Sequence, residues 1–156
     1  MTNNDNTQEN PVGRFMVAVG GIIVNNDGKI LVLKRSSKLD WQPSEWETMY
    51  GRIAQFEDPQ KGLIREIGEE IGITVEIGAP LTAWHIFRGK EETAYNELIG
   101  ITFLCHSKQD DIKISDEHEE YRWVTPSEAL ELVTIEGIRR DIKAYLNLTG
   151  PGPASL

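Results

Sequence analysis

The sequence predicts one domain of the α/β (α+β) class, in which a mixed β-sheet is covered by helices. Its 156 residues suit a single hydrophobic core, its composition is that of a globular protein, and strand-like runs occur together with helical ones. Residues 13–148 carry this pattern. Residues 1–12 and 149–156 are rich in Asn, Gly and Pro and have no apolar period, so both are predicted to be flexible tails.

The first strands are predicted from two β-branched, apolar runs, FMVAVGGIIV and KILVLKR. They are separated by NNDG, whose Asp-Gly step favours a tight turn, so the two runs are expected to form an antiparallel hairpin. Gly20 and Gly21 interrupt the first run, which indicates a bulge or the close approach of a ligand or another backbone. The segment WETMY is a candidate for a further short strand.

A helix is predicted over residues 59–71. Asp58 can cap its first turn, Pro59 suits the first helical position because it has no N–H to satisfy, and Gly72 can end the helix in a left-handed conformation. At about 100° per residue, one face of this helix collects four apolar side chains: Leu63, Ile64, Ile67 and Ile71.

The second half of the domain is predicted to add strands and two more helices. Four segments have strand-like residue choice: ITVEI, LTAWHIF, ELIGITFLC and EYRWV. Two helical segments follow them, PSEALELV and IEGIRRDIKAYLNL.

Composition excludes several classes of partner. The formal net charge is -9, which makes general binding of a nucleic acid polymer a poor expectation. No apolar run approaches the roughly 20 residues that cross a bilayer, so no membrane association is expected. The first residues lack the basic and apolar regions of a secretory signal, and a cytoplasmic location is the resulting prediction. Cys105, the single cysteine, is predicted to be a buried thiol.

Three acids share a second face of the predicted helix, Glu66, Glu69 and Glu70, beside the bare surface of Gly62. Like charges four residues apart repel by about 0.2–0.5 kcal/mol, and Arg65 relieves only Glu69. An acidic helix face is most often simply solvated, but this pattern favours a bound cation. Mg²⁺ accepts one or two carboxylates and completes its coordination with water and phosphate oxygens, which suits this cluster.

The segment around these acids resembles the Nudix box, GX5EX7REUXEEXGU with U aliphatic. Gly51, Glu57 and the run from Arg65 to Ile73 match it at all nine restricted positions across residues 51–73. The resemblance implies an α/β/α sandwich and a hydrolase that cleaves nucleoside diphosphates linked to another moiety, with Mg²⁺ or Mn²⁺ as cofactor.

The resemblance also implies roles for individual residues. Glu66, Glu69 and Glu70 would bind metal with the backbone carbonyl of Gly51, while Glu57 and Arg65 would support the loop and helix through a salt bridge. Catalytic roles in activating the attacking water are expected for Glu69 and Glu66.

A further acid is expected from the segment DEHEEYRWV, where family members often place another ligand or base. Glu120 or Glu119 is the candidate, with a solvated loop as the alternative, and His118 is expected to be exposed. The chain departs from common family residues at Tyr50 and Phe56, where glycines are frequent, and at Ala54, where a glutamate is frequent.

Substrate contacts are predicted for Arg35 and Arg52, which could meet phosphates, and for Trp84, which could stack on a base. The favoured activity is that of a nucleoside triphosphate pyrophosphohydrolase of the MutT type. An ADP-ribose or nucleotide-sugar hydrolase is the first alternative, and a Nudix-like nucleotide-binding module without turnover is the second. Family members are often dimers, so a homodimer is an open expectation.

Overall fold

The computed structural model describes residues 13–150. Within that range the chain forms seven strands and three helices, in the order β1 (Met16–Val24), β2 (Ile30–Arg35), β3 (Trp46–Glu47), β4 (Met49–Arg52), α1 (Pro59–Ile71), β5 (Val75–Phe87), β6 (Glu97–Ser107), β7 (His118–Val124), α2 (Pro126–Leu132) and α3 (Glu136–Thr149). The predicted tail 1–12 lies outside the described residues, as do residues 151–156 of the predicted tail 149–156. Thr149 still belongs to α3, so the helix runs one residue into that predicted tail.

The strands form one mixed sheet with the order β3-β2-β1-β6-β5, while β4 pairs with β1 and β7 pairs with β2. The pairing of β1 with β6 is parallel, and the other pairings are antiparallel. This arrangement confirms the predicted mixed sheet. Its central strand, β1, is buried from Ala18 to Val24 because it has strands on both edges and helices above both faces.

Two hydrophobic cores lie on opposite faces of the sheet, because alternate residues of a strand point to opposite sides. In β2, Leu31 and Leu33 join the core under α1, whereas Ile30 and Val32 join the core under α2 and α3. The domain is therefore the expected α/β/α sandwich. None of the helices in the described part of the chain combines the length and apolar character that a membrane crossing requires.

The predicted hairpin is correct at its turn and incomplete beyond it. Gly28 takes a left-handed φ of 73° in the turn, but β1 and β2 pair only at Val24 and Ile30. The strands then separate because β4 pairs with the first half of β1, while β2 pairs along its length with β7.

Strand β5 joins two segments that were predicted as separate strands. Its register against β6 shifts on both sides of Pro80, which is where a residue without an N–H is tolerated in a strand. Strand β1, by contrast, runs in unbroken register with β6, so Gly20 marks no bulge. A Cβ at Gly20 would lie 2.5 Å from a ring carbon of Tyr50, so a side chain, and not a ligand or backbone, makes the close approach.

Candidate active site

A cleft of about 1280 Å³ lies where α1, β4, the end of β5 and the start of α3 meet. It combines acidic side chains with arginines and aromatic rings. Among its lining residues are Arg35, Glu47, Gly51, Arg52, Glu66, Glu70, Trp84 and Glu117. The cleft therefore contains most of the predicted site residues together with two acids, Glu47 and Glu117, that were not assigned to it.

Helix α1 supplies the acidic wall and begins and ends as predicted. The Asp58 carboxylate accepts hydrogen bonds from the backbone N–H groups of Gln60 and Lys61, both at 3.0 Å, and Gly72 ends the helix with a φ of 68°. The capped first turn fixes the start of the helix, and so the direction in which its acids point.

The buried face of α1 is narrower than predicted. Leu63, Ile67 and Ile71 are fully buried, but Ile64 is exposed. Gly62 does not leave an open surface beside the acids either, because a Cβ there would lie 2.6 Å from the Ile53 side chain. The loop before α1 packs directly on this glycine.

Gly51 lies under the side chain of Glu66. A Cβ at position 51 would lie 2.3 Å from Glu66 Cγ, which is closer than two non-bonded carbon atoms can approach. The glycine therefore lets the Glu66 carboxylate rest against the β4 backbone at the wall of the cleft. This contact joins two residues that were both predicted to bind metal.

Glu70 is 8% exposed, although it carries a carboxyl group. Burial, followed by the nearby carboxylates of Glu117, Glu66 and Glu47, raises its pKa to about 9, while Arg35 opposes them. A buried carboxyl among other acids holds its proton because ionisation would add another uncompensated negative charge. A cation in the cleft would reverse that preference.

His118 lies between two of these acids. Its Nε2 atom is 2.9 Å from Glu47 Oε1 and its Nδ1 atom is 4.0 Å from Glu70 Oε2. The side chain is 1% exposed, and Nδ1 has no hydrogen-bond partner among residues 13–150. The expectation of an exposed loop histidine was wrong, because His118 is the first residue of β7 and its ring is buried between Glu47 and Glu70.

Arg35 reaches the same cluster from β2. Its Nη1 atom donates to Glu47 Oε1 at 3.0 Å, and its Nε atom donates to the carbonyl oxygen of Trp41 at 2.9 Å. Two of its donors are thus engaged within the protein, which orients the guanidinium at the cleft wall.

The acid that the β7 segment brings to the cleft is Glu117. Backbone hydrogen bonds from Lys113 to Ile71 and from Ser115 to Glu70 tie this segment to the end of α1. Glu117 follows directly and lines the cleft.

The structure does not bring the predicted Glu120 to the cleft. Glu120 is ion-paired with Arg122 at 2.7 Å on the strand. Glu119 accepts hydrogen bonds from the backbone N–H and hydroxyl of Ser37, both at 2.7 Å. The register of β7 against β2 shifts between Lys34 and Arg35, so β7 has one extra residue at this point. The side chains of β7 therefore do not alternate strictly between the two faces of the sheet here.

The predicted supporting salt bridge is present. Arg65 Nε lies 2.7 Å from Glu57 Oε1, and the same guanidinium contacts Glu66 at 3.0 Å and Glu69 at 3.1 Å. The side-chain hydrogen bond from Arg65 and the backbone N–H of Ala54 lower the pKa of Glu57 to about 2. The side chain of Glu69 is 61% exposed and is more exposed than those of Glu57 and Glu66, the other two acids that pair with Arg65.

The remaining predicted contacts lie at the cleft mouth and floor. Arg52 is exposed at the mouth. Trp84 lines the floor, and its indole Nε1 donates to Thr102 Oγ1 at 3.0 Å. Phe56, where a glycine is frequent in the family that the sequence resembles, is 99% exposed and has a φ of 68°. This left-handed backbone explains why glycine suits that position.

Sequence reasoning missed a buried acid beside this floor. Asp141 in α3 is fully buried and accepts a hydrogen bond from the Tyr50 hydroxyl at 2.6 Å. A signal was available, because Asp141 falls on the apolar stripe of its helix with Ile138, Ile142 and Tyr145.

The donors in the cleft are of the chemical type that a hard divalent ion takes, although no three acid, cysteine or histidine side chains of residues 13–150 are grouped as a ready-made metal site. Carboxylate oxygens of Glu66, Glu70 and Glu117 are of the type that Mg²⁺ and Mn²⁺ take. The pKa of Glu70 is raised first by its burial and then by the negative charge of the neighbouring acids. A dication would neutralise that charge.

Comparisons with known proteins agree with this geometry. A family model described as NUDIX domain matches residues 14–146. The nucleoside triphosphatase NudI of Salmonella arizonae is 33% identical over 116 residues, which is 68% of this chain and 79% of that protein. A MutT-like protein of Streptomyces ambofaciens is 28% identical over 115 residues, 74% of this chain and 67% of that protein. The crystal structure of a MutT protein from Methanosarcina mazei Go1 superposes with a TM-score of 0.74 at 25% identity, covering 90% of this chain and 99% of that one.

Proposed function

This chain belongs to the Nudix family, and we propose that it is a nucleoside triphosphate pyrophosphohydrolase that uses Mg²⁺ or Mn²⁺. The observation that carries the proposal is the burial of the Glu70 carboxyl in a cleft that Glu66, Glu47 and Glu117 also line. The similarity to a nucleoside triphosphatase and to a MutT-like protein supports a triphosphate as the substrate.

Glu66, Glu70 and Glu117 would hold the metal, together with the backbone of Gly51, against which Glu66 rests. Glu69 stays a proposed ligand and catalytic residue. Its side chain is 61% exposed, and within residues 13–150 its carboxylate is ion-paired with Arg65 at 3.1 Å, an exposed contact of the kind that contributes little stability. The ion would neutralise phosphate charge and lower the pKa of an attacking water.

The chain's own residues would position the reaction. Glu66 or Glu117 would accept the proton of the attacking water, and in this role Glu117 takes the place that the sequence suggested for Glu120. Arg65 and Glu57 would keep Glu66 in place through their ion pairs at 3.0 Å and 2.7 Å. Ligand geometry depends on such outer contacts, whose loss typically costs about 10–100-fold in metal affinity or activity.

The two ends of the substrate would lie on different walls of the cleft. Arg52 and Arg35 offer positive charge near the acids for phosphate oxygens, and Trp84 offers an aromatic ring for the base. A cytoplasmic location and a homodimer stay predictions, which cell fractionation and sedimentation would test.

The activity is tested by incubating the protein and Mg²⁺ with nucleoside triphosphates, ADP-ribose and nucleotide sugars. Release of a monophosphate and pyrophosphate from a triphosphate supports the proposal. Two monophosphate products from ADP-ribose or a nucleotide sugar would support the first alternative, and binding without product would support a non-catalytic module.

Variants test the assignment of the acids. We expect Glu117→Gln to reduce turnover by about 10²–10⁴-fold if it accepts the proton, and Glu120→Gln to stay near the wild-type rate. Circular dichroism would establish that both variants are folded. Equal rates for the two variants would remove Glu117 from the proposed mechanism.

A further inference from the structure

A buried hydrogen-bond network lies beneath the floor of the cleft, outside the acidic cluster. Its centre is Asp141, whose side chain is 0% exposed. Asp141 Oδ2 accepts from the hydroxyls of Tyr50 at 2.6 Å and Thr102 at 2.7 Å, and Oδ1 accepts from the Thr82 hydroxyl at 2.7 Å. The network therefore joins α3 to three strands: β4, β5 and β6.

The network extends to the aromatic floor through Thr102. The Thr102 hydroxyl gives its hydrogen to Asp141 and accepts the indole N–H of Trp84 at 3.0 Å. The Trp84 ring lies across Gly100, its strand partner, where a Cβ would lie 2.0 Å from a ring carbon. The indole is thus fixed at its edge by a hydrogen bond and seated over a residue that has no side chain.

Tyr50 also contacts the indole ring of Trp84. Its ring meets Trp84 edge to face at 5.9 Å between centroids, and it is seated over Gly20 as Trp84 is over Gly100. Burial and the Asp141 carboxylate raise the pKa of Tyr50 well above its ordinary range, so the hydroxyl stays a donor. Both aromatic residues line the cleft, whereas Asp141, Thr82 and Thr102 lie below them.

A fully buried carboxylate lowers the stability of a core unless its charge is compensated. Ionised groups lose hydration on burial, and an apolar residue of similar size often gives equal or greater stability. The only cation within ion-pairing distance of Asp141 in the described chain is Arg140, which is half exposed and 3.4 Å away. The compensation comes chiefly from hydroxyl groups that also hold Tyr50 and Trp84.

The geometry points to Asp141 as a positioning residue that, through Thr102 and Tyr50, holds the Trp84 indole as the stacking surface for the substrate's base. This inference rests on the proposed nucleotide substrate. Because the indole N–H is engaged by Thr102, the part of the ring that lines the cleft is what remains for the substrate. A π-face accepts any base. The floor would thus favour a nucleoside over a base-free polyphosphate without choosing strongly among bases.

Thr102→Val tests the inference, because it removes the hydroxyl and keeps the side-chain shape. Thr102→Ser is the matched conservative variant, and Ile142→Val is a packing control on α3 next to Asp141, at a residue that belongs only to the hydrophobic core. Each protein would be assayed with Mg²⁺ and either deoxynucleoside triphosphates or inorganic tripolyphosphate. Calorimetry would measure the binding of adenosine and cytidine 5′-monophosphates separately.

We expect Thr102→Val to raise KM for the nucleotides and Kd for the monophosphates by about tenfold, the order contributed by one stacked base. Its kcat and its kinetics with tripolyphosphate should change by less than about twofold, a split that a general loss of stability would not produce. Thr102→Ser should restore nucleotide binding, and Ile142→Val should leave it unchanged.

Unchanged monophosphate binding in Thr102→Val would overturn the inference, as would an equal loss in Thr102→Ser. Absence of monophosphate binding to the wild-type protein would also overturn it. Failure of the proposed hydrolysis is a separate result, because it would appear as lack of turnover while the monophosphates still bind and still respond to Thr102→Val.

Discussion

Glutamine at position 70 keeps the size of the glutamate side chain and removes its ability to lose a proton. In the metal-free folded protein the pKa of Glu70 is raised to about 9 from an ordinary 4.5, mainly by burial. Between these two values the folded state binds more protons than the unfolded state. Stability contributed by the bound proton is therefore present at low pH and is lost as pH rises through about 9.

The size of this loss follows from the two pKa values. Raising the pH from 7 to 9 should lower the free energy of unfolding of the wild-type protein by about 2 kcal/mol through Glu70 alone, since one pKa unit corresponds to about 1.4 kcal/mol. Glu70→Gln has no such proton to lose, so its stability should fall less by that amount over the same interval.

The assay is urea unfolding of both proteins at pH 7 and pH 9 in the presence of EDTA. Other groups also change the pH dependence of stability in this interval, including Cys105. Burial raises its thiol pKa to about 12 in the folded protein, so between pH 7 and pH 9 it loses its proton only in the unfolded chain. These groups are common to both proteins, so the comparison cancels them. If the two proteins lose stability in parallel between pH 7 and pH 9, the reasoning about Glu70 is refuted.

Three further predictions concern the same helix. Mg²⁺ binding at pH 7 should release about one proton from the wild-type protein and almost none from Glu70→Gln. Calorimetry in two buffers of different ionisation enthalpy measures the number of protons released. Equal proton release from the two proteins would contradict the prediction. Gly51→Ala should reduce Mn²⁺ affinity or turnover by about 10–100-fold, because its Cβ would lie 2.3 Å from Glu66 Cγ. The matched control is Gly68→Ala, because a Cβ at position 68 meets nothing within 4 Å. This control should raise the free energy of unfolding by about 0.5–1 kcal/mol and leave the turnover rate unchanged. A similar loss of activity in Gly51→Ala and Gly68→Ala would argue against the importance of the contact between Gly51 and Glu66. Asp58→Ala should lower the free energy of unfolding by about 1 kcal/mol in urea titrations, and an unchanged midpoint would show that the cap contributes little.

In helix α1, local sequence was sufficient to predict most of the structure. Its first and last residues, its caps and three of its four predicted buried residues depend on neighbours within one or two turns, and the structure agrees with them. The exception, Ile64, has the right period but lies at the edge of the buried stripe, where the width of the contact with β1 and β4 decides exposure.

For the acids of the cleft, local sequence was not sufficient to predict which side chains meet. Glu117 and Glu120 are three residues apart in an acidic run, and the extra residue in β7 together with the docking of residues 113–115 on α1 decides which of them reaches the cleft. A shift of one residue moves a strand side chain to the opposite face, so the composition of the run could not settle it.

By itself the sequence determined the bounds of α1 and the acids at positions 66, 69 and 70, because these follow from spacing along one segment. The resemblance carried by that segment implied the family and the sandwich of helices on a mixed sheet. Only the tertiary structure decided that His118 is buried between Glu47 and Glu70, that Glu117 lines the same cleft as these acids, and that Asp141 accepts a hydrogen bond from Tyr50. These contacts join residues that are far apart in the chain, and burial and charge compensation at such places exist only after the segments have packed.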